Sequence, residues 1–208
     1  MFVVGLVSFL PRLRMNVMVF QLDIEMGDDG DHDGSTAIQL DNFTWIDCFV
    51  PCAGIFSEAP LTDIGDADWA RVMSINLDGV FYGTRAVLPH MREGSAILNI
   101  TSVAADRGSR NHSAYSATKG ALLAFTRSIA LEAAPRVRVN AVAPGVIDTA
   151  TVSDLMAGGS DRVLSTTPLG RMGTAKEVAD VVTFLCTPAA GFITGEVIRV
   201  NGGIHMAG

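Results

Sequence analysis

AILNITSVAADRGSRNHSAYSATKGALLAF, residues 96–125, joins a short β-branched run to the start of a long apolar helix. Its first six residues, AILNIT, read as a buried strand, and its last fourteen, HSAYSATKGALLAF, open the helix. The same alternation extends outward in both directions. IDCFV (46–50), VRVNAV (137–142) and EVIRV (196–200) are further strand-like runs, separated by helical stretches over 66–91, 112–135 and 174–188. Continuous apolar strands alternating with helices predict a parallel sheet covered on both faces, a doubly wound α/β fold. Thr174 with Glu177 fits a capping box at the start of the last helix, and Pro188 follows its end. No internal repeat or low-complexity linker interrupts the pattern.

Composition limits what such a fold can do. With 208 residues and 49% hydrophobic content the chain is long enough for one well-buried domain spanning 1–208, and too apolar for disorder. The net charge is −7, but Asp23, Glu25, Asp28, Asp29, Asp31 and Asp33 hold six of the 22 acids, and the other 16 nearly balance 15 Lys and Arg. The acidity is local, and nothing points to nucleic acid. The apolar opening MFVVGLVSFL is too short to span a bilayer and its arginines follow it, so it reads as a buried strand, with no membrane partner expected. Cys48 and Cys52 share a strand and would lie roughly 13 Å apart, beyond disulfide reach. The three cysteines read as reduced thiols, and the protein as cytoplasmic.

In open parallel sheets, ligands bind beyond the carboxyl ends of the strands. Ser102 ends one such strand. Thirteen residues later Tyr115 opens the next helix, with Lys119 one turn along on the same face. A nearby ammonium favours a phenolate, so this spacing suits a tyrosine that exchanges a proton with an alcohol or carbonyl, while Ser102 holds the same oxygen. Taken alone the spacing is weak evidence and favours a structural helix, because many helices carry Tyr and Lys four apart by chance.

The wider pattern separates the two. NITS, VAADRGSRNHSA and YSATK, then VRVNAVAPGVIDT and FITGEVIRVNGG, resemble the short-chain dehydrogenase/reductase family over residues 46–203. LTDIGDADWARVMSINLDGVFYGTRAVLPHM joins the resemblance. It implies a Rossmann-like fold with NAD or NADP as cofactor, and interconversion of a secondary alcohol and a ketone of small-molecule size, as in 3-oxoacyl reductases. It implies Tyr115 as general acid/base, Lys119 as the residue that lowers its pKa and binds the nicotinamide ribose, Ser102 as the substrate-orienting hydroxyl, and Asn76 as the anchor of a relay water. Ala53 and Gly54, and the turn Pro144, Gly145, Val146, Ile147, Asp148 and Thr149, correspond to cofactor-contacting segments, with Thr149 at the carboxamide. Residues 150–173 fall where the family has a mobile lid, and a homodimer or homotetramer packed through the helices of 69–91 and 113–134 is implied.

Residues 1–45 depart from that pattern, leaving the first β-α-β unit incomplete. No G-x-G-x-x-G precedes residue 54, and Pro51-Cys52-Ala53-Gly54 stands where the family has Asn-Asn-Ala-Gly. Asp23 matches the family's adenine-side aspartate, yet only 22 residues precede it, too few for strand, helix and second strand. The acidic GDDGDHDG (27–34) would repel a diphosphate. It matches the start of an EF-hand loop at Asp29, Asp31, Asp33 and Gly34, but Leu40 stands where a bidentate Glu is required, so no metal site is expected. His32, His90, His112 and His205 form no ligand spacing. The two functions left open are an NAD(P)-dependent oxidoreductase with weakened cofactor binding, and a cofactor-impaired relative that acts only in assembly.

Overall fold

A computed structural model describes residues 17–20, 45–149 and 164–206. Asp23, the acidic segment 27–34, the apolar first ten residues and most of the expected lid lie outside these. Among the described residues five parallel strands form the main sheet: β1 (Val17–Phe20), β2 (Ile46–Pro51), β3 (Met91–Ile100), β4 (Val137–Pro144) and, after a two-stranded pair β5 (Ile147–Asp148) and β6 (Gly173–Thr174), β7 (Val197–Val200). Their order is β1-β2-β3-β4-β7. The helices are α1 (Asp66–Met73), α2 (Gly79–Val87), α3 (Val103–Arg107), α4 (Ser113–Ala133) and α5 (Ala175–Cys186). The predicted doubly wound α/β fold is the observed one.

Alternation along each strand explains why the runs are apolar throughout. Ala96, Leu98 and Ile100 of β3 join Cys48, Val50 and Val142 on one face, where Val178, Val182 and Leu185 of α5 cover them. Ile97 of β3 joins Phe49, Val137 and Val139 on the other, under Val87 of α2 and Ala130 and Ala133 of α4. Val178, Val182 and Leu185 are fully buried, each contributing about 1.5–3 kcal/mol relative to exposure. The capping box is present as expected, with Glu177 N–H donating to Thr174 Oγ1 and the Glu177 carboxylate accepting from Thr174 N.

Two expectations are corrected. The helical stretch 66–91 is not continuous: Ser74–Asp78 forms a wider π turn between α1 and α2, and β3 begins at Met91. Pro89 sits in a short 3-10 turn just before that strand and ends the helical run. Nor are all three cysteines reduced. Cys48 of β2 is bridged to Cys186, which closes α5 over the sheet with Cα atoms 6.0 Å apart, and Cys52 alone is free. Cys48 and Cys52 are unlinked, as their strand spacing requires, but the thiols give no ground for a cytoplasmic setting. No helix among the described residues is long and apolar enough to cross a membrane.

Candidate active site

The carboxyl ends of β2, β3 and β4 bring the expected residues to one place. Thr101 and Ser102 follow β3 directly. The backbone N–H of Thr101 and its hydroxyl both donate to the Val142 carbonyl, which fixes the chain where it leaves the sheet. Ser102 then caps α3, its Oγ accepting from Ala104 N at 3.1 Å. That contact occupies acceptor capacity and fixes the side chain. The same side chain lies near the Tyr115 phenol and acts to lower its pKa.

Tyr115 lies in the first turn of α4, and Lys119 follows one turn later. Lys119 is 6% exposed, its Nζ donates to the Ile100 carbonyl at 3.0 Å, and it lies over the Tyr115 ring, 5.7 Å from the centroid. Burial lowers its pKa to about 8, opposed by the neighbouring Cys52. The same burial pushes the Cys52 thiol up to about 12, against the attraction of Lys119. Tyr115 departs from expectation. Burial raises its pKa, and the opposing influence comes from the Ser102 side chain. The reason is geometric: the ammonium lies over the ring and donates to a carbonyl of β3, so desolvation of the phenol dominates.

Asn76, fully buried in the π turn, grips the loop after β2 with both ends of its amide. Its Oδ1 accepts from Ile55 N at 2.8 Å and its Nδ2 donates to Ile55 O at 2.9 Å. Nδ2 also reaches Thr118 Oγ1 at 3.3 Å, and Thr118 in turn donates to the Tyr115 carbonyl. One amide therefore ties the β2 loop to the helix of the tyrosine. The geometry assigns this side chain to positioning, and the wider turn of π-type bonding around it is the kind of irregularity found at functional sites.

Ala53 and Gly54 lie on the loop that Asn76 holds. A Cβ at Gly54 would come to 3.4 Å of Asn76 Oδ1 and 3.7 Å of Lys119 Nζ, so the exposed glycine leaves a narrow shelf above the lysine. Pro144 ends β4 and is buried, and Gly145 N–H donates to Val200 O. Gly145 is required by packing, since a Cβ there would meet Asn201 Cα at 2.8 Å. The Ile147 side chain points into the core and its backbone pairs with Gly173, so the side chain does not face a ligand. Thr149 is half-buried at the end of the same turn. Phe56, His112, Cys52 and Thr118 were not foreseen, because the loop of 52–60 and the start of α4 meet only in the folded chain.

Similarity to known proteins agrees with this constellation. The family model described as enoyl-(acyl carrier protein) reductase matches residues 12–205. A short-chain dehydrogenase/reductase (glucose/ribitol dehydrogenase) from Brucella melitensis is 49% identical, with a TM-score of 0.77 over 78% of this chain and 66% of that one. The chain is a short-chain dehydrogenase/reductase. The short-chain reductase protein NovJ of Streptomyces niveus is 39% identical over 81% of this chain and 68% of its own length. The 3-oxoacyl-[acyl-carrier-protein] reductase of Synechocystis is 43% identical over 80% and 68%. The chain spans about two thirds of the length of the short-chain dehydrogenases and reductases it matches. It is an oxidoreductase of the dehydrogenase/reductase type that works with NAD or NADP. The described residues suit the nicotinamide end of such a cofactor: a buried ammonium at Lys119 and an open shelf at Gly54 stand together at the strand ends.

Proposed function

We propose that the protein reduces a ketone to a secondary alcohol, with 3-oxoacyl thioesters as the substrate class and Tyr115 as proton donor. The observation that carries this is the gathering of Ser102, Tyr115 and buried Lys119 at the carboxyl end of β3, with the Lys119 ammonium 5.7 Å from the centre of the Tyr115 ring. The names of several relatives, 3-oxoacyl-[acyl-carrier-protein] reductases from Thermotoga maritima and Aquifex aeolicus among them, support the substrate class. The comparisons lend no support to a cofactor-impaired protein that acts only in assembly.

Lys119, Gly54 and the main chain of the 144–149 turn would hold the cofactor. Bound there, a nicotinamide dinucleotide would supply the hydride. Ser102, its Oγ already accepting from Ala104 N, donates its O–H to the substrate carbonyl oxygen and orients it. As the carbonyl carbon gains hydride, the π electron pair moves to oxygen, and Tyr115 delivers the phenolic proton there. A phenol whose pKa is raised holds that proton through neutral and mildly alkaline pH, which suits the reducing direction. The phenolate left behind is formed beside the Lys119 ammonium, which favours it.

A homodimer or homotetramer belongs to the same proposal. Trp69 and Phe81 are about two-fifths exposed and Leu131 is 84% exposed, on α1, α2 and α4, the helices implied for packing between copies. A cytoplasmic setting is part of the reading too, although the Cys48–Cys186 bridge removes the thiol argument for it.

Titration with NADH and NADPH, followed through Trp45 and Trp69 fluorescence, tests the proposal together with cofactor oxidation by a 3-oxoacyl thioester. Binding no tighter than about millimolar is expected, because residues 1–53 carry no glycine-rich phosphate loop, and oxidation should proceed at millimolar cofactor. Micromolar binding would reveal another phosphate site before residue 45. No ketone-dependent oxidation of either cofactor would overturn the function.

A further inference from the structure

The loop after β2 returns over the tyrosine and is fixed at two points. The Asn76 amide holds Ile55, and Ala59 N–H donates to Asn111 O at 2.9 Å. Between these points Phe56 lies face to face with His112, ring centroids 4.2 Å apart at 25°, and edge-on to Tyr115 at 4.9 Å and 80°. His112 is itself held. Its Nδ1 is 3.0 Å from Ser109 Oγ, and it follows Asn111, whose φ of 63° places the backbone in the left-handed region. Asparagine tolerates that region better than most residues, so the turn sets the imidazole beneath Phe56 without a glycine's freedom. Phe56 nevertheless keeps 44% of its surface exposed.

An aromatic ring that touches the proton-donating tyrosine, is clamped from behind and remains exposed is built to meet what the tyrosine meets. We infer that Phe56, backed by His112, is a specificity-determining wall that accepts an apolar hydrocarbon substituent next to the reacting carbonyl. The inference rests on the reduction proposed above. Phe56 is a contact for the substrate, and His112 is a positioning residue that acts through the Phe56 ring. Such a wall favours a ketone with an alkyl or aryl arm. A ketone flanked by hydroxyls gains nothing from it, because burying those groups against a hydrocarbon face leaves them without hydrogen-bond partners.

The full chain tests this with two 3-oxoacyl thioesters, one ending in methyl beside the reacting carbonyl and one bearing a hexyl arm. Phe56→Ala should lower kcat/KM for the hexyl substrate about tenfold, chiefly through KM, and change the methyl substrate less than about threefold. Phe56→Leu should restore most of the difference, and His112→Ala should give an intermediate loss. Equal losses on both substrates, or none on either, would overturn the wall. A second readout needs no turnover. The imidazole proton resonances of His112, assigned by their absence in His112→Ala, should move when 2-octanone is added and stay still with acetone, and should lose that response in Phe56→Ala. Movement without turnover would keep the wall and overturn the reductase reading, whereas turnover without discrimination would do the reverse. Neither movement nor turnover would overturn both.

Discussion

Tyr115→Phe should lower kcat for carbonyl reduction by about a thousandfold, the size of effect expected when a positioned general acid is removed. The fold tolerates the change because the ring keeps its contacts. The edge-on packing against Phe56 at 4.9 Å involves ring atoms, and Thr118 bonds the Tyr115 carbonyl, which phenylalanine retains. Ser102 still caps α3 through Ala104 N. Stability should therefore fall by no more than about 1 kcal/mol, within the range for one hydrogen bond. Steady-state kinetics beside thermal unfolding checks both halves. A variant with undiminished kcat removes Tyr115 from the mechanism.

Lys119→Met separates stability from activity. Lys119 is buried and its pKa is lowered to about 8 in the folded protein, against an ordinary value of 10.5, chiefly by burial. A base with a lowered folded pKa binds its proton less tightly in the native state. Holding that charge destabilises the fold below pH 8, and the penalty fades as pH rises from about 8 to 10.5, where the unfolded chain binds more protons. Its size is on the order of 3 kcal/mol, reduced in the variant by the Ile100 carbonyl that loses its donor. Lys119→Met should therefore be more stable than the parent at pH 7 by about 1–3 kcal/mol, and should lack the parent's rise in stability between pH 8 and 10.5. Its activity should fall by at least about a hundredfold, since the phenolate formed at Tyr115 loses its neighbouring cation. Denaturant unfolding across this pH range decides it. A parent whose stability is flat there, or a variant that is less stable at pH 7, would show that the buried ammonium carries no such cost.

The strands were legible because each is covered on both faces, which forces continuous apolar runs such as AILNIT and VRVNAV. The helix with Tyr115 and Lys119 was legible from its spacing, and Ser102 from its place at a strand end. Asn76 was expected at the site through resemblance, but its double grip on Ile55 joins residues 21 apart in sequence and no local period announces it. The Cys48–Cys186 bridge spans 138 residues for the same reason. The spacing of Tyr115 and Lys119 points to a lowered Tyr115 pKa, because charge is visible in the sequence and burial, which acts in the opposite direction there, is not. Only the folded chain shows that Lys119 donates to Ile100 while the phenol is desolvated. Nothing in the sequence joins Phe56 to His112; the pinned loop brings their rings together.

The central claim is that this chain adds a hydride to a carbonyl carbon and a Tyr115 proton to its oxygen. Its most direct test uses NADH and NADPH carrying deuterium at the transferable position of the nicotinamide, a 3-oxoacyl thioester as acceptor, and mass spectrometry of the product. The wild-type chain should yield the 3-hydroxy product with one deuterium on the carbinol carbon, and Tyr115→Phe should yield almost none in the same time. Unlabelled substrate recovered from the wild type with both cofactors, or equal labelling by the two proteins, would contradict the account.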